Sequence, residues 1–119
     1  SLAAERTFSN NLSSELFIVE KLDQIAKEVS KRLQALQIAG KTITLKIKYS
    51  DFKLQTRSKT LAYYMSSNDV ILEHSKDLLF QERLQNSVRL VGISISNLNS
   101  HVKTQVLSED ILVQLKFDF

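Results

Sequence analysis

The sequence predicts an α+β fold: strand–helix–strand–strand–helix–strand, a four-stranded antiparallel sheet with two helices on one face, followed by a C-terminal tail. Three observations carry that prediction. Ile18, Leu22, Ile25, Val29, Leu33 and Leu36 recur at spacings of three and four, the period of an amphipathic helix. Ile43, Leu45, Ile47 and Tyr49 alternate with Thr42, Thr44, Lys46 and Lys48, the period of a strand buried on one face. The cap-forming cluster Ser66-Ser67-Asn68-Asp69 opens a second helical stretch, and a β-branched run follows from Ser87.

The first strand is expected over Ser1 to Ser9, where Leu2, Ala4 and Phe8 alternate around Glu5, Arg6 and Thr7, and Asn10-Asn11 is expected to break it. Ser13 or Ser14 offers an N-cap for a helix reaching about Ala39, with Gly40 placed to stop it. The next two strands form a hairpin around Ser50-Asp51. On that reading Lys53, Gln55, Arg57 and Lys59 share a parity and join Lys46 and Lys48 on one exposed face. The second helix covers roughly Asp69 to Gln81, burying Leu72, Ser75, Leu78 and Leu79. In the last strand, Ser87 to Leu98, the parity of Val88 and Leu90 differs from that of Ile93 and Ile95, so a bulge is expected at Val91-Gly92. The domain is assigned to residues 1–98 and the tail to 99–119.

Charge is concentrated in one place. Lys41 to Thr60 holds six basic residues (Lys41, Lys46, Lys48, Lys53, Arg57, Lys59) and one acid, Asp51, hence +5 in a chain of net +3. Such a face suits a polyanion. The 119 residues, 43% hydrophobic and 24% charged, fit a single globular domain. With no cysteine, disulfides and thiolate metal sites are excluded, and the composition fits a reducing, cytoplasmic setting. No apolar run reaches the ~20 residues of a membrane span. Because the chain starts at Ser1 rather than Met, it reads as a fragment of a longer protein or a processed product.

Glu5-Arg6-Thr7-Phe8, the run KTITLKIKYSDFKLQTRSKTL (Lys41–Leu61) and VRLVGISISNL (Val88–Leu98), in this order, resemble the little-finger domain of Y-family translesion DNA polymerases, the DNA polymerase IV (DinB) branch above all. The resemblance covers roughly residues 1–98. It implies a domain that grips primer–template duplex through phosphates, without catalysis of its own. Carried over by position, it implies Arg6 and Thr7 on the first strand, Thr56, Arg57, Ser58, Lys59 and Thr60 on the third, and Arg89 on the fourth. Thr44, Lys46, Lys48 and Lys53 join them from the basic hairpin. Leu90 and Ser94 stand where some relatives carry basic residues, which shifts weight to the hairpin. The resemblance also implies that catalytic carboxylates and Mg2+ belong to a palm domain outside this chain, leaving no cofactor here, and that the domain works as a monomer.

The final residues Gln114-Leu115-Lys116-Phe117-Asp118-Phe119 resemble the peptide by which bacterial polymerases dock on the sliding clamp. The resemblance implies that the Gln114 amide takes a polar pocket while Leu115, Phe117 and Phe119 fill an apolar cleft. The alternation from Ile111 to Asp118 also fits an edge strand. His74 and His101 lie too far apart for a paired metal site, and two glycines cannot make a Gly-rich phosphate loop. Two other functions compete with duplex binding. An RNA-binding sheet needs stacking aromatics where this chain has Lys, Thr and Arg. A protein-interaction domain would carry the basic face merely as a solvated surface.

Overall fold

The computed structural model describes residues 1–12 and 15–99, with residues 9–12 as backbone. The N-cap expected at Ser13 or Ser14 and the tail residues Gln114, Leu115, Phe117 and Phe119 lie outside the described residues. The order is β1 (Leu2–Leu12), α1 (Glu15–Leu36), β2 (Gly40–Tyr49), β3 (Leu54–Met65), α2 (Asn68–Leu79) and β4 (Val88–Leu98). The strands form one sheet in the order β1-β4-β2-β3, each neighbouring pair antiparallel. The α+β fold read from the sequence is the one observed.

The core lies between one sheet face and the two helices. From α1 come Ile18, Leu22, Ile25, Val29 and Leu33, and from the sheet Ile43, Leu45, Ile47, Val91, Ile93 and Ile95, all essentially without exposure. Burying each such side chain contributes about 1.5–3 kcal/mol. Helix α1 packs against β1 and β4, α2 against β2 and β3, and the helices touch each other. Ser30 in α1 donates to the Ser66 carbonyl at 2.6 Å, tying the first helix to the entry of the second. Ser67 caps α2 by accepting from the Val70 N–H.

Several local expectations are corrected. Strand β1 continues through Asn10-Asn11 to Leu12, because the backbone pairs again with β4 at Leu12↔Val88 after an irregularity. Helix α1 ends at Leu36, which is exposed, and not near Ala39. Gln37, in the left-handed region at φ 57, stops it: the Gln37 N–H reaches Gln34 O at 3.1 Å and the Ile38 N–H reaches Leu33 O at 3.0 Å, the paired bonds of a Schellman cap. Gly40 instead opens β2, where a Cβ would fall 2.4 Å from Ile95 Cγ2 and 2.6 Å from Ser96 O. The β4 irregularity sits at Arg89 rather than Val91-Gly92, since Tyr49 pairs with Val88 while Lys48 pairs with Leu90. From Leu90 to Ser96 the alternation is regular, and Asn97, left-handed at φ 53, breaks it near the strand's end. Helix α2 buries Ile71 with Ser75, Leu78 and Leu79, and leaves Leu72 partly covered.

Candidate nucleic-acid interface

Which side chains reach the open side of the sheet is decided in the turn between β2 and β3. The Phe52 N–H donates to Tyr49 O and the Tyr49 N–H to Lys53 O, both at 2.9 Å, enclosing Ser50, Asp51 and Phe52 in a three-residue loop. Phe52 takes the left-handed conformation at φ 68, the position of the bulge residue in this type of hairpin. The Asp51 carboxylate accepts from the Lys53 N–H at 3.1 Å and stiffens the turn. A two-residue turn at Ser50-Asp51 would have paired Lys46 with Gln55. The third loop residue pairs it with Thr56 instead, and a one-residue shift moves every β3 side chain to the other face.

The strand register therefore defines four rows across the open face. Thr7, Leu90, Lys48 and Leu54 form one row, and Glu5, Gly92, Lys46 and Thr56 the next. Ala3, Ser94, Thr44 and Ser58 follow, then Ser96, Thr42 and Thr60. Small and hydroxylated side chains dominate, so the surface is low and flat. The Thr42 hydroxyl lies 2.9 Å from that of Thr60 and accepts from Asn97 Nδ2 at 2.6 Å, linking three strands. The open positions of β2 and β4 hold no aromatic ring. Glu5 is the one acid in these rows among the described residues, and its carboxylate pairs with Lys46 Nζ at 3.0 Å. Between them lies a shallow depression of about 110 Å³, lined by Ala3, Glu5, Thr44, Lys46, Gly92 and Ser94 among others.

Three basic residues expected on this face lie behind it. Arg57 is paired with Leu45 and only 6% exposed. Its Nη1 donates to Leu78 O at 2.9 Å and Leu79 O at 2.7 Å, carbonyls at the end of α2, where Leu78 O otherwise has only a long 3.4 Å bond from the Gln81 N–H besides the cap. Its Nη2 reaches Gln55 Oε1 at 3.2 Å, which also accepts from the Tyr49 hydroxyl at 2.6 Å. The guanidinium thus caps a helix, where the dipole favours a cation. Lys59 is paired with Ile43 and bonds Asp77 of α2 at 3.3 Å. Arg6, beside Val91, reaches Glu28 of α1 at 2.6 Å, and Arg32 holds the other Glu28 oxygen at 2.7 Å. The Arg6 hydrogen bond, helped by the charges of Arg6 and Arg32, keeps the Glu28 carboxyl below its ordinary value against the opposing effect of burial.

The remaining expected residues gather on the open side or its rim. Thr7, Thr44, Lys46, Lys48, Thr56, Ser58 and Thr60 share the rows, and Lys53 is exposed in the turn. Arg89 stands at the bulge with its guanidinium 4.5 Å from the centroid of the Phe52 ring, and Lys48 Nζ lies 5.5 Å from the same centroid. Sequence reasoning missed two participants, Glu5 and Phe52. Alternation around Glu5 carried the only signal for the first. The second depended on a left-handed aromatic, which sequence patterns do not favour.

A sheet of this order, with two helices behind it and a hydroxyl- and lysine-bearing face in front, belongs to a recognised class. The impB/mucB/samB family C-terminal domain matches residues 1–108, and the chain belongs to that family. DNA polymerase IV of Clostridium perfringens (strain ATCC 13124) is 38% identical over 119 residues, covering 99% of this chain and 32% of that protein. DNA polymerase IV of Brucella melitensis biotype 1 is 40% identical over 99 residues, covering 83% of this chain and 22% of that protein. The chain thus spans a third or less of the length of these relatives. Its fold is that of the little finger domain of PolIV solved in complex with the beta-clamp processivity factor, with a TM-score of 0.69 at 18% identity, covering 90% of this chain and 96% of that one.

Proposed function

We propose that this chain holds primer–template duplex for a translesion DNA polymerase, contacting phosphates through the open sheet face, and that its last six residues tether the enzyme to the sliding clamp. One observation carries the DNA reading: three strands of one sheet, β1, β2 and β3, present Thr7, Thr44, Thr56, Ser58, Thr60, Lys46 and Lys48 on one low surface, backed by a rigid core. Hydroxyls and lysines position phosphates without reading bases. Among the described residues no helix lies on this side to enter a groove, so sequence preference is weak. Family membership and the polymerase relatives support the same reading. DNA synthesis itself is assigned to the part of the parent protein that this chain does not include.

Fluorescence anisotropy of a labelled primer–template duplex, titrated at several KCl concentrations, tests the DNA reading. Binding should weaken steeply with salt, and the double substitution K46Q/K48Q should lower affinity and flatten the slope by at least about 0.9. Absence of salt-dependent binding in the wild-type chain would overturn it. For the tail, deletion of residues 114–119 should abolish binding to a sliding clamp while leaving duplex affinity unchanged. Retained clamp affinity after that deletion would remove Gln114, Leu115, Phe117 and Phe119 from the tether.

A further inference from the structure

The middle row of the open face holds an acid where a polyanion is to be bound. Glu5 on β1 and Lys46 on β2 are not neighbours: β4 runs between them, and both pair in register with Gly92. Strands spaced about 4.8 Å apart put two such positions roughly twice that distance from each other. Their side chains nevertheless meet at 3.0 Å, directly over a residue without a side chain. A Cβ at Gly92 would lie 3.0 Å from Glu5 Cβ and 3.2 Å from Ala4 O, so the bare backbone there is what admits the bridge. Both partners are close to half exposed, at 43% for Lys46 and 50% for Glu5. Such a pair is weak and readily exchanged.

We infer that the depression over Gly92 is the seat of one backbone phosphate, and that the Glu5 carboxylate is its internal competitor. This rests on the duplex-binding reading and deepens it. The carboxylate and a phosphodiester present the same ligand chemistry to Lys46, an anionic oxygen at hydrogen-bond distance. The Thr44, Ser94 and Thr56 side chains line the same depression and offer hydroxyl donors that a phosphate with two free oxygens can use. In the unbound chain Glu5 satisfies Lys46 and neutralises it. When a phosphate arrives, the carboxylate is displaced to water and recruits a counterion. Lys46 therefore contributes geometry at this position while yielding little net counterion release. The consequence is a hold that is deliberately weak at its centre, which suits a domain that must shift along a duplex as it is extended.

Glu5→Gln removes the competitor and keeps the shape. On the salt titration described above, E5Q should bind duplex about three- to fivefold more tightly near 0.1 M salt. Its slope should steepen by about 0.9, the share of one newly counted phosphate contact. The gain must pass through Lys46, so E5Q/K46Q should bind no more tightly than K46Q alone. Circular dichroism should report the same fold for all four proteins, because both side chains lie on the surface. Affinity and slope of E5Q equal to or below wild type would overturn the inference while leaving the duplex reading intact. A full gain retained in E5Q/K46Q would also overturn it, because Glu5 would then act by general repulsion. If neither wild type nor E5Q binds duplex at low salt, the duplex reading fails, and this inference fails with it.

Discussion

Replacing Arg57 by Ala separates a folding role from a DNA-binding one, and the structure sets the size of the effect. The guanidinium makes two short bonds to terminal α2 carbonyls, 2.9 Å to Leu78 O and 2.7 Å to Leu79 O, a longer one of 3.4 Å to Glu82 O, and one to Gln55. Its Nε is buried without a partner, so the residue already tolerates one unsatisfied donor. A hydrogen bond to a charged group contributes about 1.5–3 kcal/mol, and the two short bonds share one cation, so their loss should cost about 3–4 kcal/mol. For a domain of this size that lowers Tm by about 15–25 °C. Urea denaturation followed by far-UV circular dichroism measures it. Arg57→Lys should recover part of the loss, since one ammonium keeps the charge at the helix end but not the fork that spans Leu78 O and Gln55. If R57A kept wild-type stability to within about 0.5 kcal/mol, a margin typical of surface substitutions, and lost duplex affinity instead, the buried capping role would be wrong.

Gly40→Ala should destabilise by about 2–3 kcal/mol in the same urea assay, because the new Cβ meets Ile95 Cγ2 at 2.4 Å and the immovable Ser96 O at 2.6 Å; a change near zero would show that β2 and β4 can separate there. Glu28 predicts a pH dependence. Its folded value is lowered from 4.5, chiefly by the Arg6 hydrogen bond, so the stability it contributes is present above that range and is lost as pH falls through the lowered value. Glu28→Gln should therefore be less stable than wild type at pH 7, with a gap that narrows toward pH 3; a gap constant with pH would assign the loss to packing. Phe52→Gly should relieve the left-handed backbone at φ 68 while removing the ring beside Arg89 and Lys48. Its unfolding free energy from urea denaturation should change by less than about 1 kcal/mol, and a large loss would mean that the aromatic ring, not the turn geometry, holds the hairpin.

The architecture was legible because each element declared its own period. The α1 stripe from Ile18 to Leu33 and the β2 alternation from Ile43 to Tyr49 are both buried as read. Element ends were harder, for a physical reason. The Gln37 stop and the Phe52 turn both use the left-handed region without glycine, so the residue that normally marks such a site is missing. Gly40, which is a glycine, serves a strand–strand approach rather than a helix end. The site was half legible. Hydroxyl positions on β3 followed the resemblance and lie on the open face. The cations beside them were assigned to that face by their shared parity with Lys53 and Gln55 and by the same resemblance, and the third residue of the loop turned Arg57 and Lys59 toward α2.

The charge of the Lys41–Thr60 segment consequently divides between two tasks that the net figure of +5 cannot distinguish. On the helix side, Arg57 and Lys59 answer the end and the flank of α2, as Arg6 answers Glu28 of α1, so the cations at the sheet margins hold the helices in place. On the open side only Lys46 and Lys48 occupy the central strand, one shared with Glu5 and the other leaning over Phe52. A surface so sparingly charged can retain a duplex only by adding hydroxyl contacts to a few cations, which makes the threonines and serines of β2 and β3 as consequential as the lysines. Removing hydroxyls there, for example by Thr44→Val with Thr56→Val, should therefore weaken duplex binding without changing its salt slope, whereas removing Lys48, which no carboxylate among the described residues neutralises on this face, changes both. A parallel loss of slope in the hydroxyl variant would mean that charge alone carries the hold.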